Sequence, residues 1–294
     1  MRAYFGLNMA KCFEDILEDI WYDPEFVVSP RGYEVREIRD CCIEVENPME
    51  NIYINKYRSS QLKYCAAELL WYFSGTNNPA FIENYASMWK NLHNEDGTVN
   101  SSYGNLLFSE KNEHNFTQYQ WVIETLKKDK DSRQAFMHFN KPKHQFLENK
   151  DQVCTLQTLF HIRNNSLYMT TSMRSNDLVY GFFTDFTFFS ILQYHVFLQL
   201  KQYYSDLKIG YYTHVSHSMH VYQKHYDLIK NMVTDNLHCE PYSLPLLTET
   251  ILEENGNIIE KYKNIFEPIK NGNKPDYTQK TDNDLINWCF KQLI

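Results

Sequence analysis

The stretch VCTLQTLFHIRNNSLYMTTSM, residues 153–173, contains two short runs in which apolar and polar side chains alternate, separated by two asparagines. Alternation with a period of two is typical of β-strands that bury one face. Asn164 and Asn165 tolerate the left-handed backbone conformation that a two-residue hairpin turn requires. We therefore predict strands over 153–163 and 166–173 that pair as a hairpin.

Helical and strand patterns surround this hairpin on both sides. The helix patterns cover 8–21, 60–73, 79–92, 115–128 and 184–204, and further strand patterns cover 33–46 and 133–140. Helices mixed with strands that pair locally indicate an α+β fold. We expect one domain over 1–294, with a polar, loop-rich extension from about residue 245 that a short amphipathic segment closes.

The composition excludes several classes of protein. Among 294 residues there are 29 Lys+Arg and 37 Asp+Glu, a net charge of −8, which argues against a broad nucleic-acid-binding surface. Aromatic residues make up 16% and charged residues 22%, unlike a disordered chain. No run has the length of a transmembrane helix, and the first residues lack the apolar core of a signal peptide. We expect a soluble intracellular protein that binds no membrane.

The seven cysteines are odd in number and scattered, without a CxxC pair. This pattern predicts reduced thiols and no zinc site. Histidines gather in SHSMHVYQKH, residues 216–225, but no HExxH pattern is present, so we expect no metal.

Cys154 admits two interpretations. It is either a core cysteine on a strand or a nucleophile whose thiolate is favoured by a nearby cation, for which Arg174 is the candidate. Glu68 lies inside the apolar run AAELLWYF and is either buried with a partner or a functional acid or base. Arg174 and Asp177 precede an apolar helix, where they form either an internal ion pair with capping or an anion site.

Six strings, taken in order, resemble the successive motifs of the thymidylate synthase superfamily. They are ELLWYFSGTNN, SSYG, DSRQAF, VCT, MRSNDLVYG and HSMHVYQKH, within about residues 30–226. Within the superfamily, MRSNDLVYGFFTDF and the Cys-Thr pair are most similar to the phage-type deoxycytidylate hydroxymethylases.

The resemblance implies a thymidylate synthase-like fold, with a mixed sheet covered by helices, and a homodimer that forms through the sheet and shares its active sites. It implies a pyrimidine nucleoside monophosphate as substrate and 5,10-methylenetetrahydrofolate as cosubstrate, with no metal. Cys154 matches the nucleophile that adds to carbon 6 of the pyrimidine. Carbon 5 then attacks the methylene of the folate, and the product acquires either a hydride or water.

The remaining site residues follow from the same motifs. The phosphate ligands would be Arg174, Ser175, Arg31 and, given across the dimer, Arg133, which Gln134 follows where the family shows a second arginine. Glu68 and Tyr103 would move protons, His220 and Tyr222 would bind the sugar 3′-hydroxyl, and Asp177 would contact the pterin.

Two residues differ from those of thymidylate synthases at positions that affect which base is bound and which product forms. Asp185 stands where those enzymes carry the asparagine that reads uracil, and it suits cytosine, unless it merely caps a helix. Trp89 is followed by Leu92 where a second tryptophan is usual, and the smaller side chain would admit water beside the folate, unless it is an ordinary core substitution.

These observations predict a dCMP hydroxymethylase in the cytoplasm, that of the host if a phage encodes it. A dUMP or dCMP methyltransferase and a dUMP hydroxymethylase are the enzymatic alternatives. An inactive nucleotide-, folate- or RNA-binding homologue is the non-enzymatic one. Choice between dCMP, CMP and dUMP, and membership of a nucleotide-synthesis complex, are left open.

Overall fold

The computed structural model describes residues 1–57, 61–235, 239–245 and 247–294, and within them the fold is α+β, as predicted. The strands are β1 (Arg2–Gly6), β2 (Phe26–Val28), β3 (Val35–Val45), β4 (Ile52–Ile54), β5 (Phe136–His138), β6 (Thr155–Arg163), β7 (Ser166–Met173), β8 (Asn176–Asp177), β9 (Lys208–Tyr222) and β10 (Glu240–Tyr242). The α-helices are α1 (Met9–Tyr22), α2 (Gln61–Ser74), α3 (Gln118–Lys128), α4 (Gly181–Lys201), α5 (Tyr226–Thr234), α6 (Lys263–Lys270) and α7 (Asp284–Leu293).

Helix boundaries follow from local capping. Asn8 begins α1, because its side chain accepts a hydrogen bond from the Lys11 N–H at 3.1 Å. Gly75 ends α2 with φ of 73°, a left-handed conformation that glycine adopts without a steric cost. Both helices lie where the sequence predicts them, except that Ser60 falls outside the described residues.

The helix predicted over 79–92 is wrong. Two 3₁₀ turns, Ile82–Asn84 and Ser87–Asn91, occupy this stretch, separated by extended backbone at Ala86. The Asn84 side chain donates to the carbonyls of Ala80 and Phe81, competing with the backbone donors that an α-helix would need there.

The chain divides into two compact units. Unit 1 consists of Met1–Ser59, Tyr168–Gln193 and Ile209–Leu244, and unit 2 of Ser60–Leu167, Tyr194–Lys208 and Pro245–Ile294. The organisation of 1–294 as a single catalytic domain stays a prediction.

Unit 1 is built on a sheet in the order β1-β3-β9-β7, with β2 paired to β3 and β8 paired to β9. Strands β3 and β9 run antiparallel, from Val35 opposite Tyr222 to Val45 opposite Tyr212. We did not predict β9, the longest strand, because its buried face includes His214 and Ser216 in place of apolar residues.

Unit 2 combines α2, α3, α6 and α7 with the antiparallel pair β5 and β6, in which Phe136 lies opposite Leu159. The predicted turn at Asn164 and Asn165 has φ of 49° and 56°, the left-handed pair that a tight hairpin turn uses. The part after residue 245 is more ordered than its polarity suggests, because α6 and α7 both pack against α2.

In the part of the chain that the structure describes, no helix combines the length and the apolar character needed to cross a membrane.

Candidate active site

Cys154 lies immediately before β6 and is half-buried. Of the other cysteines only Cys42 is also half-buried, and burial raises the pKa of its thiol. Burial raises the pKa of the Cys12, Cys41 and Cys239 thiols to about 12, so these remain protonated. The position of Cys154 at a strand end, partly open to solvent, suits a reactive thiol.

The residue after Cys154 connects it to Tyr103. Thr155 is fully buried, and its hydroxyl donates a hydrogen bond to the phenolic oxygen of Tyr103 at 2.9 Å. The Tyr103 ring stacks on that of Tyr72 at 5.1 Å between centroids. Two predicted site positions, Cys154 and Tyr103, are therefore joined through one intervening side chain.

Gly104 permits the close approach that places Tyr103. A Cβ atom at Gly104 would lie 1.7 Å from the carbonyl oxygen of Tyr72, so any larger residue would force the two backbone segments apart. The glycine is thus required for space and not for its dihedral angles.

Glu68 is buried in α2, with 6% of its surface exposed. Its Oε1 accepts hydrogen bonds from the phenols of Tyr64 at 2.7 Å and Tyr72 at 3.4 Å, one helical turn away on either side. A buried carboxylate is costly unless hydrogen-bonded, and these phenols supply donors. The sequence did not single out Tyr64 or Tyr72, although their spacing of four from Glu68 was a readable signal.

Trp89 extends this set, because its indole N–H donates to the Tyr64 hydroxyl at 3.1 Å. Its ring also meets Trp71 edge-on at 4.8 Å. Leu92 is half-buried at the end of the same 3₁₀ turn, and its N–H donates to the Trp89 carbonyl. We call Tyr64, Glu68, Tyr72, Trp89, Tyr103 and Thr155 the Glu68 cluster. It lies within unit 2, beside Cys154.

The remaining predicted residues lie in unit 1, except Arg133. Arg174 is exposed and not buried, which corrects the expectation of an internal ion pair at this position. Its Nη1 donates to the hydroxyl of the neighbouring Ser175 at 3.2 Å. A guanidinium and a hydroxyl that are adjacent in this way suit an anion such as phosphate.

Asp177 organises the turn before α4. Its Oδ1 accepts hydrogen bonds from the backbone N–H groups of Val179 at 2.8 Å and Tyr180 at 3.2 Å. Both donors lie in the turn before Gly181, so Asp177 stabilises that turn and is not the N-cap of α4. Its role towards a ligand stays a prediction.

Asp185 does not cap a helix. Helix α4 begins at Gly181, so Asp185 lies in its second turn, and the capping alternative is wrong. Its Oδ2 accepts a hydrogen bond from the side-chain amide of Asn176 at 2.8 Å. Asn176 is buried, and its own residue type gives no signal of a site, although it lies inside the MRSNDLVYG string.

His220 and Tyr222 end strand β9, with their rings perpendicular and 5.1 Å apart. The ring nitrogen Nδ1 of His220 donates to the Ser218 carbonyl at 3.1 Å. Since a carbonyl only accepts, this bond leaves Nε2 as the accepting nitrogen of the neutral ring.

Arg31 and Arg133 are both exposed. Arg31 has φ of 56° in a short 3₁₀ turn and precedes Gly32, which also has positive φ. Arg133 lies before β5 in unit 2. Among the described residues, no group of three or more His, Cys, Asp or Glu side chains is placed to hold a metal ion.

Several known proteins are similar in sequence to this chain. The chain is 26% identical to the deoxyuridylate hydroxymethyltransferase of Bacillus phage SP01, over 99% of this chain and 74% of that protein. It is 29% identical to the deoxycytidylate 5-hydroxymethyltransferase of Enterobacteria phage T4, over 70% and 83%. It is 30% identical to a thymidylate synthase of Buchnera aphidicola, over 62% and 66%.

A family model described as thymidylate synthase matches residues 11–269. That range includes all the predicted site residues, from Arg31 to Tyr222, in both units. The chain therefore belongs to the thymidylate synthase family.

Proposed function

We propose that the protein is a dCMP hydroxymethylase. It transfers a methylene group from 5,10-methylenetetrahydrofolate to carbon 5 of dCMP, and water then adds to give 5-hydroxymethyl-dCMP. The observation that carries this proposal is the carboxyl group of Asp185, which receives the Asn176 amide at the position where thymidylate synthases read the base with asparagine.

The choice of cytosine follows from hydrogen-bond complementarity. Cytosine presents an accepting ring nitrogen 3 and a donating amino group, and a protonated aspartic acid offers the matching donor and acceptor. Uracil presents a ring N–H and a carbonyl oxygen. This pattern is the reverse of that of cytosine, so to match uracil the acid would have to carry its proton on the oxygen that accepts from the cytosine amino group.

Cys154 starts the reaction. Its thiolate adds to carbon 6, and the electron pair that reaches carbon 5 attacks the methylene carbon of the cosubstrate. Loss of the carbon 5 proton and departure of tetrahydrofolate leave an exocyclic methylene on the ring. Water adds to that methylene as the bond between Cys154 and carbon 6 breaks, so the thiolate is regenerated.

The Glu68 cluster supplies ordered proton donors and acceptors for these steps. Glu68, with its two phenol donors, holds and moves protons, and Tyr103 acts near the carbon 5 proton. For the folate, the assigned residues are Asp177, Trp89 and Leu92. A carboxylate can accept several hydrogen bonds, so Asp177 can receive a pterin N–H while it keeps its two backbone donors. Leu92 offers an apolar surface and leaves room for water.

Substrate binding uses the exposed arginines. Arg174, Ser175 and Arg31 bind the phosphate, with Arg133 contributed by the second subunit of a homodimer. At His220 the accepting Nε2 suits the proton of the sugar 3′-hydroxyl, and the Tyr222 hydroxyl completes that contact.

Hydroxymethylation of dUMP is the second candidate. It is favoured by the relative from phage SP01, which is named for its action on deoxyuridylate and whose similarity extends over nearly the whole chain. The two candidates differ in the base and share the same covalent chemistry.

The test is to incubate the purified protein with methylenetetrahydrofolate and either dCMP, dUMP or CMP, and to determine the product masses. A product heavier than dCMP by one CH₂O unit, without the absorbance of dihydrofolate, supports the proposal. A CH₂ increment with dihydrofolate indicates methylation instead, and conversion of dUMP but not dCMP indicates the second candidate.

A further inference from the structure

A series of hydrogen-bonded, buried side chains in unit 1 ends at Asp185. The hydroxyl of Tyr212 lies 2.9 Å from Nδ1 of His214. Nε2 of His214 lies 3.2 Å from Oδ1 of Asn176, and Nδ2 of Asn176 lies 2.8 Å from Oδ2 of Asp185. Tyr212 and His214 are fully buried, and Asn176 is 3% exposed.

The donors in this series all point towards Asp185. A carboxylate oxygen accepts, so the Asn176 amide nitrogen donates to it and the amide oxygen faces His214. Burial lowers the pKa of His214 to about 3, so the ring is neutral and has a single N–H. That N–H must be on Nε2 to reach the Asn176 oxygen. Nδ1 then accepts from the Tyr212 hydroxyl.

Residues of helix α4 pack closely around these hydrogen-bonded side chains. The rings of Phe182 and Phe186 on α4 lie 5.6 Å and 6.1 Å from that of His214. A Cβ atom on Gly181 would lie 3.0 Å from Nδ2 of Asn176 and 3.2 Å from Oδ2 of Asp185. Because Gly181 has no positive φ, its lack of a side chain serves the close fit around this pair and not a turn.

We propose that His214 and Asn176 are positioning residues that keep Oδ2 of Asp185 as an acceptor and so place the proton of the acid on Oδ1. The inference rests on the proposed function. In it, Oδ1 donates to ring nitrogen 3 of cytosine, and Oδ2 accepts from the amino group as well as from Asn176.

The same arrangement disfavours uracil. Uracil would require Oδ1 to accept from the ring N–H and Oδ2 to donate to the carbonyl oxygen. Oδ2 is already engaged as the acceptor of Asn176, so the proton distribution that suits uracil opposes the one that His214 and Asn176 impose.

The donor-to-acceptor direction of these hydrogen bonds can be measured without any substrate. Histidine labelled with ¹⁵N in the full-length protein reports which ring nitrogen is protonated, and the His214 signals are those that vanish in His214→Gln. We expect protonation on Nε2 and a bare Nδ1 at neutral pH. Protonation on Nδ1, or on both nitrogens, would reverse or abolish the donor direction and overturn the inference.

Kinetics with a matched pair of variants test the effect on base choice. Leucine and glutamine have similar size, but only glutamine can donate to Asn176 and accept from Tyr212. We expect His214→Leu to lower the dCMP-to-dUMP ratio of kcat/KM about tenfold, mainly through kcat for dCMP. His214→Gln should restore the ratio to within about threefold of wild type.

Two further variants test the inference if His214→Leu does not fold. Asn176→Leu removes the donor to Oδ2, and Gly181→Ala crowds the same pair without touching His214. Both should lower the ratio. Equal losses for dCMP and dUMP in folded variants overturn the inference alone. A wild-type protein that converts neither nucleotide overturns the proposed function, and with it the role in base choice.

Discussion

The carboxylate of Glu68 accepts from Tyr64 at 2.7 Å and from Tyr72 at 3.4 Å, so two phenols at the same spacing along α2 hold it with unequal bonds. Tyr64 in turn receives the indole N–H of Trp89. The donor from Trp89 strengthens the phenol of Tyr64 as a donor to Glu68, since linked hydrogen bonds polarise one another.

This asymmetry predicts different effects of two similar substitutions. Tyr64→Phe should reduce turnover by about tenfold or more and destabilise the protein by about 1–3 kcal/mol, because it removes the shorter bond and leaves the buried indole of Trp89 without its acceptor. Tyr72→Phe should cost less than half as much free energy. Steady-state kinetics and urea unfolding of the two variants provide the measurement. Equal losses of turnover and stability in the two variants would show that the shorter bond from Tyr64 contributes no more free energy than the longer bond from Tyr72.

Gly104 offers a test of the geometry that places Tyr103. In Gly104→Ala the new Cβ would collide with the Tyr72 carbonyl, so we expect a loss of stability of at least about 3 kcal/mol. Gly97→Ala is the matched control, because Gly97 has φ of 80° but its added Cβ would meet no atom within 4 Å, and it should cost about 1 kcal/mol through backbone strain alone. Thermal melting compares the two. Similar melting temperatures would contradict the close approach.

The sequence predicted a helix or strand correctly where the pattern of apolar, polar and turn residues that specifies it is local. Helices α1 and α2 and strands β3, β6 and β7 were read from periodicity and turn residues, which are properties of neighbouring positions. Strand β9 was missed because its inward positions include the polar His214, whose partner Asn176 comes from another segment of the chain. The 3₁₀ turns after residue 80 were also missed, since asparagine side chains override apolar periodicity there.

The site shows the same division. Motif resemblance singled out Cys154, Glu68 and Asp185, the residues to which the proposed mechanism assigns the chemistry and the reading of the base. It did not identify Asn176 or His214, which touch no reacting atom in the proposed mechanism. Their function depends on tertiary contacts, which a single sequence does not display.

A shared active site predicts complementation between inactive chains. Cys154→Ser should abolish turnover while it preserves nucleotide binding, because a serine hydroxyl is a far poorer nucleophile than a thiolate at neutral pH. Arg133→Ala should also be inactive if its guanidinium serves the second subunit. Refolding the two variants together should restore up to about a quarter of wild-type activity in the mixture, from sites with one intact half from each chain.

The control for that experiment is co-purification with two different tags, which reports whether mixed dimers form. Mixed dimers without recovered activity would place Arg133 in the site of its own chain or outside any site. Chains that never co-purify would contradict the homodimer itself.

The buried ring of His214 predicts a specific pH dependence of folding. Its pKa is about 3 in the folded protein and 6.5 in the unfolded chain, so the unfolded state binds the additional proton between these values. The contribution of His214 to stability is therefore complete above pH 6.5 and is lost as the pH falls, with a slope of up to about 1.4 kcal/mol per pH unit. Urea unfolding from pH 7 to pH 4 should show a shallower slope in His214→Gln. Parallel curves would mean that the histidine is not held neutral.

Asp185→Asn should move substrate preference from dCMP towards dUMP. The substitution preserves the shape of the side chain and replaces an oxygen with an amide nitrogen. Towards cytosine the amide can still make two hydrogen bonds, so binding should persist. It cannot provide an acidic proton for ring nitrogen 3, which gains electron density when Cys154 adds to carbon 6, so the loss for dCMP should appear mainly in kcat.

For uracil the amide removes a mismatched contact worth roughly 1–3 kcal/mol, so the dCMP-to-dUMP ratio of kcat/KM should fall by about one to two decades. The Asn176 amide donates to Oδ2 of Asp185, and an asparagine at 185 can meet it only with its own oxygen. In that orientation its NH₂ group takes the place of Oδ1 and faces ring nitrogen 3, which suits cytosine. Matching uracil therefore requires the new side chain to turn its oxygen towards the ring N–H and to release the Asn176 donor. Measuring both substrates at one pH, with melting temperatures as a check on folding, decides the matter. A ratio that does not change would remove Asp185 from base recognition and leave the carboxyl group as a structural partner of Asn176.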